Sequence, residues 1–129
     1  MIRGAVQQIG RDGSLIFWEP EIEVAIAGVD LDFMTVTAVV DTAFTGALAL
    51  PSRIVQELGL IYQDERLVRL ATGRGSVRIY GAAVSWFGQP RVVPVHETDD
   101  KPLIGNMLLN NCRLAIDFRE GGDVTIQPL

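Results

Sequence analysis

From Glu21 to Val29 apolar and polar positions alternate, with Ile22, Val24 and Ile26 on one side and Glu21, Glu23 and Ala25 on the other. That period of two predicts a half-buried strand. Gly28-Val29-Asp30 is a turn signal, and a second strand is expected from about Leu31 to Val40, so the pair reads as a hairpin. Ahead of it, residues 1–10 alternate weakly through Ile2, Val6 and Ile9, which predicts an edge strand. Arg11-Asp12-Gly13-Ser14 marks a turn. Leu15-Ile16-Phe17-Trp18 is a short apolar segment, read as core or hairpin.

Further along, Leu50 to Leu60 predicts a short helix. Ser52 is placed to cap it, Ile54, Val55 and Leu58 form its apolar face, and Gly59 suits the left-handed position at its end. Residues 67–80 read as two strands around a glycine-rich tip. Gly73-Arg74-Gly75 lacks the lysine and following helix of a phosphate-binding loop, so a hairpin turn is expected there. Strands follow at 81–87 and 91–95, with Pro94 signalling an edge or bulge. His96 to Pro102 reads as a polar, exposed loop with His96 at the surface. Leu103-Ile104-Gly105 leads into a helical turn. Residues 113–118 and 124–126 form a closing hairpin around Glu120-Gly121-Gly122-Asp123.

One stretch breaks the pattern. The β-branched run Thr35 to Val40 delivers an aspartate, Asp41, into the small-residue turn Thr42-Ala43-Phe44-Thr45-Gly46, after which apolar chemistry resumes at Ala47 to Pro51. A carboxylate at the end of a buried strand is costly unless it is hydrogen-bonded, paired or used. Asp30, Asp117 and Asp123 sit in turns or alternating strands and read as solvated or structural.

The totals narrow the chemistry. A chain of 129 residues fits one domain, residues 1–129, and buries roughly two-thirds of its unfolded surface. At 48% hydrophobic and 21% charged it is ordinary globular material. A formal net charge of -5, with no basic cluster, argues against nucleic-acid and anionic-membrane partners. No apolar run approaches the roughly 20 residues that span a bilayer, and Met1-Ile2-Arg3-Gly4 does not open a signal peptide. The single Cys112 permits no internal disulfide, and a reducing cytoplasm is the simplest setting to expect. One histidine and one cysteine cannot build a Cys/His zinc site, and no cofactor or metal is expected.

Val39-Val40-Asp41-Thr42-Ala43-Phe44 resembles the active-site loop of the retropepsin-like aspartic proteases: an apolar pair, then Asp-Thr/Ser-Gly. Ala43 stands where the family has glycine. Leu103-Ile104-Gly105 with its helical turn is similar to the family's apolar-apolar-Gly motif, and Ile116-Asp117-Phe118 to its C-terminal strand. The likeness runs in order from about Glu21 to the end. It implies an all-β fold with one or two short helices, a closed acid-protease barrel with one lobe per chain, and aspartic endopeptidase activity on a peptide or protein substrate. It implies Asp41 as catalytic, Thr42 and Ala43 as active-site loop, and Ala71, Thr72, Gly73, Arg74 and Gly75 as a flap over bound peptide. Ile104 and Gly105 would support the loop by close backbone approach. Asn106 and Thr45 occupy positions that some viral members fill with an Arg–Asp pair, implying a neutral hydrogen bond.

Hydrolysis by carboxylates takes two of them around one water, and like charges so close share a proton. This chain has one such loop, so a working dyad implies a homodimer with Asp41 from each protomer on a twofold axis. The resemblance has the Thr42 hydroxyl crossing that axis. The terminal strands, residues 1–10 and 124–129, become candidates for an intermolecular sheet. Should residue 43 need positive φ, alanine there costs about 1 kcal/mol or more. The alternative is a catalytically inactive peptide-binding or interaction module of the same fold. A further competitor is an unrelated small barrel with Asp41 as a structural acid.

Overall fold

The β-branched and alternating segments become ten strands and two short helices in the computed structural model, which describes residues 1–13, 15–70 and 73–129. In chain order these are β1 (Ile2–Ile9), β2 (Phe17–Ala27), β3 (Met34–Val40), β4 (Leu48–Pro51), α1 (Ser52–Glu57), β5 (Ile61–Leu70), β6 (Gly73–Trp86), β7 (Gln89–Thr98), β8 (Leu103–Ile104), α2 (Asn106–Leu109), β9 (Cys112–Ile116) and β10 (Asp123–Pro128). They hydrogen-bond in the order β5-β6-β7-β4-β8-β3-β2-β1-β10-β9.

The β2–β3 hairpin forms as its alternation requires. Ile22, Val24 and Ile26 are buried and lie across from Ala38, Val36 and Met34. A second pairing, Ile26 with Val84 and Ala27 with Ala83, ties β2 back to β6. Strands β2, β3, β8, β4, β7 and β6 therefore form a circuit closed by only two residue pairs. The all-β expectation holds, but the barrel is not clearly closed: β5 lies on one flank and β1, β10 and β9 on the other. Inside lie Leu48, Leu50, Val84, Val95, Ile104, Leu108, Val124 and Ile126, each fully or almost fully removed from solvent.

Several sequence expectations change in three dimensions. Gly73-Arg74-Gly75 is not a turn but the start of β6, which runs unbroken through the expected break near residue 81. The first strand, β1, is not an edge: it lies between β2 and β10, pairing Gly4 with both Ile22 and Val124. The two terminal strands thus satisfy each other within one chain, and β9 and β5 are left at the ends of the sheet. Ser52 does not cap α1. Pro51 holds the cap position with extended geometry and no side-chain bond, because β4 pairs with β7 as far as Pro51 and Thr98. His96, Glu97 and Thr98 are strand, not loop: β4 pairs with them in parallel through Ala49, Leu50 and Pro51. Leu15 to Trp18 are exposed rather than core, although Phe17 and Trp18 do belong to the β1–β2 hairpin.

Other local signals hold. Gly59 takes φ +60°, Leu60 N–H donates to Val55 O at 3.2 Å and Gly59 N–H to Gln56 O at 3.0 Å, the paired bonds of a glycine-terminated helix. Pro94 sits opposite Gly81, one residue before β7 gains its second neighbour at Val95, so among the described residues that part of the strand is paired on one side alone, as the edge reading of Pro94 expects.

Candidate active site

Asp41 follows the last residue of β3, and β8 fixes where it sits. Ile104 lies between Val40 on one side and Leu48 on the other. The Asp41 amide donates to Ile104 O at 2.9 Å, and the Gly105 amide to Ala47 O at 3.0 Å. Both limbs of the loop are thus pinned to one two-residue strand. Gly105 is buried with the carbonyl oxygens of Gly46 and Phe44 and the Phe44 ring where a Cβ would stand. Only glycine fits, which is the close approach expected of Ile104-Gly105.

Within the loop, Phe44 N–H donates to Asp41 O at 3.1 Å, closing a turn, and Ala43 N–H donates to the Asp41 carboxylate at 3.0 Å. That is an Asx-type turn, in which the backbone orients the acid. Ala43 is not among the residues with positive φ, so its methyl group carries no left-handed strain. Asp41 is half-buried, while Thr42 and Ala43 are exposed. Asn106 Nδ2 donates to Thr42 O at 3.0 Å rather than reaching Thr45. Asn106 and Met107 amides donate to Phe44 O and Gly46 O at 2.9 and 3.1 Å. The start of α2 therefore braces the turn from below.

Beside the loop runs a groove of about 590 Å³. Ala43, Phe44 and Thr45 form one wall and His96, Glu97 and Leu103 the floor, while Val68, Arg69 and Val77 reach in from the β5–β6 hairpin. That hairpin pairs continuously from Val68–Gly75 to Leu70–Gly73. Of the expected flap, Gly73, Arg74 and Gly75 lie at the start of β6 and do not line the groove. Arg74 instead borders a smaller dent of about 230 Å³ with Leu67, Val68 and Arg69. Ala71 and Thr72 lie outside the described residues.

Sequence reasoning missed Phe44, Val68, Arg69, Val77, His96 and Glu97. His96 is half-buried and meets Phe44 edge-on, with ring centroids 5.1 Å apart. Burial and then the Arg66 guanidinium hold its pKa below the usual histidine range. Tyr80 OH lies 3.5 Å from the Glu97 carboxylate. The one available signal was period two: His96 continues the alternation of Val93 and Val95 as its outward-facing neighbour. Among the described residues no three His, Cys, Asp or Glu side chains converge as metal ligands would, and no helix is long and apolar enough to cross a membrane.

No protein-family model matches the sequence, and no curated protein matches it. Among solved structures the chain is similar to EIAV protease complexed with the inhibitor HBY-793, with a TM-score of 0.56 and 11% identity over 78% of this chain and 91% of that one. At that identity the likeness speaks for architecture alone: this chain has an all-β, retropepsin-like fold.

Proposed function

We propose that the chain is one half of a homodimeric aspartic endopeptidase, with Asp41 and Asp41 of the partner subunit sharing one proton. The observation that carries this reading is the Asp41 turn. A half-buried carboxylate is oriented by the Ala43 amide, in a turn pinned by Ile104 and Asn106, with Thr42 and Ala43 open to a second copy.

In that arrangement the ionised carboxylate takes a proton from the bound water as its oxygen bonds the scissile carbonyl carbon. The protonated partner donates to the carbonyl oxygen. Collapse breaks the carbon–nitrogen bond and the proton passes to the leaving nitrogen. The groove beside Ala43 would hold substrate side chains against Val68, Val77 and Leu103, with the β5–β6 hairpin covering them. The inactive-module reading rested on the missing motif glycine. The bond to Asp41 comes from the backbone of residue 43, which alanine supplies as well as glycine does, and this favours the active reading.

The test is cleavage of an unfolded protein between about pH 3 and 7, where a coupled carboxylate pair titrates. Wild type, Asp41→Asn and Ala43→Gly are compared, with mass measured by light scattering. Wild-type cleavage that disappears in a dimeric Asp41→Asn protein supports the proposal. Cleavage confined to Ala43→Gly would make the native chain an inactive module, and an inert monomer in every form would overturn the dyad.

A further inference from the structure

We infer that the end of the β1–β2 hairpin, carrying Leu15, Ile16, Phe17 and Trp18, is a docking strap for a second copy of this chain, placed beside the Asp41 turn. The inference rests on the homodimer reading, since that turn supplies one carboxylate where the chemistry needs two.

The register shows where the strap stands. Strand β2 pairs with β3 as far as Glu21 and Val39, and β3 ends one residue later. β2 continues outward for four more residues, Phe17 to Pro20, bonded to β1 alone through pairs from Val6–Pro20 to Ile9–Phe17. Extending the register puts Asp41 level with Glu19 and Thr42 level with Trp18. The hairpin therefore overhangs the end of the barrel at which the Asp41 turn opens. Lys101 holds its base there, with Nζ 2.7 Å from the Glu19 carboxylate and only two residues before β8.

The side chains on this overhang are apolar and uncovered. Trp18 continues the buried stripe of Ile22 and Pro20, but β3 has stopped, and it is 42% exposed. Phe17 and Ile16 are each 40% exposed and Leu15 is 83% exposed. Single exposed apolar residues are ordinary, but four in succession at the tip of a strand pair are not. Together they offer on the order of 400 Å², about half of what one partner of a standard interface buries. Thr42, level with Trp18 in the extended register, and Ala43 are exposed at the same end of the barrel. A twofold contact bringing two Asp41 turns together sets each strap against the partner's neighbouring surface, so one patch is used twice. The Phe17–Pro20 edge facing away from β1 also has no strand paired with it among the described residues, which leaves backbone groups for the same contact.

The experiment uses the full chain with Asp41→Asn, so that the association is read without proteolysis. Sedimentation across protein concentration is compared with and without Trp18→Glu, and circular dichroism confirms that the variant stays folded. The expected result is a dimer whose dissociation constant rises at least about 30-fold with Trp18→Glu, the scale of a central aromatic contact. In a Trp86→Phe background, Trp18 emission should also shift to the blue as concentration drives dimer formation, with no substitution in the strap. A dimer indifferent to Trp18→Glu, with cleavage by the Asp41 form retained, overturns the strap and leaves the protease reading standing. A dimer dissociated by Trp18→Glu but inert with Asp41 restored supports the strap and overturns the protease reading. A monomer at all concentrations overturns the strap, as does a Trp18 that stays wet in the dimer.

Discussion

The side-chain amide of Asn106 donates to the carbonyl oxygen of Thr42 at 3.0 Å, joining the first residue of α2 to the loop that presents Asp41, 64 positions earlier in the chain. The Asn106 backbone amide holds Phe44 O in the same turn. A single residue thus braces two consecutive parts of the candidate catalytic loop. Asn106→Ala removes one neutral hydrogen bond of about 1 kcal/mol. The melting temperature followed by circular dichroism should fall by about 4 °C. Asn106→Asp keeps the shape but turns a carboxylate toward a carbonyl oxygen, and it should melt lower than the alanine variant.

Gly105 is the tightest point of the site. Its Cβ position is taken by two backbone carbonyl oxygens and the Phe44 ring, and its amide is tied to Ala47 O. Backbone cannot swing aside as a long side chain can. Gly105→Ala should lose about 3 kcal/mol or more in urea unfolding. Gly59→Ala, in open space at φ +60°, should lose only about 1 kcal/mol, from conformation alone.

Ala43→Gly tests the departure from the family motif. Alanine here carries no left-handed strain, so glycine relieves nothing and loosens the unfolded chain. Stability should fall by about 0.5–1 kcal/mol. Cleavage rate, on the protease reading, should stay within a few-fold of wild type. A gain of many-fold would mean that the methyl group obstructs the groove.

His96 makes stability depend on pH. Its folded pKa lies below the ordinary value of 6.5, first through burial and then through Arg66. The unfolded chain therefore binds the proton at higher pH than the folded one. The stability this histidine contributes is full above about pH 6.5 and is lost as pH falls from there through the folded value. Urea midpoints from pH 5 to 8 should show a downward slope on acidification that His96→Gln reduces. Protonation also sets a charge beside the Phe44 ring, which lines the groove.

Much of the architecture was legible from local chemistry. Alternation at Glu21 to Val40 determined the β2–β3 hairpin, because a strand with one wet face must repeat every two residues. Gly59 ended α1 because only glycine takes a left-handed conformation freely, whereas the close approach at Gly105 came from the family resemblance and not from local chemistry. Asp41 stood out because a carboxylate at the end of a β-branched run must be held or used.

What the sequence could not reveal were relations between distant segments. His96-Glu97-Thr98 looks like a loop since its residues are polar, yet the parallel pairing with β4 makes it strand, and its polar side chains face a groove instead of a core. Ser52 has the chemistry of a cap, but the reach of β4 to Pro51 hands the cap position to proline. Leu15 to Trp18 look like core because they are apolar. Only the register, in which β3 stops level with Pro20 while β2 runs on to Phe17, leaves them uncovered at the Asp41 end of the barrel. Side-chain type determines which face of a strand prefers to be dry. Whether anything lies against that face depends on strand lengths and partners far along the chain, and those were settled by tertiary packing.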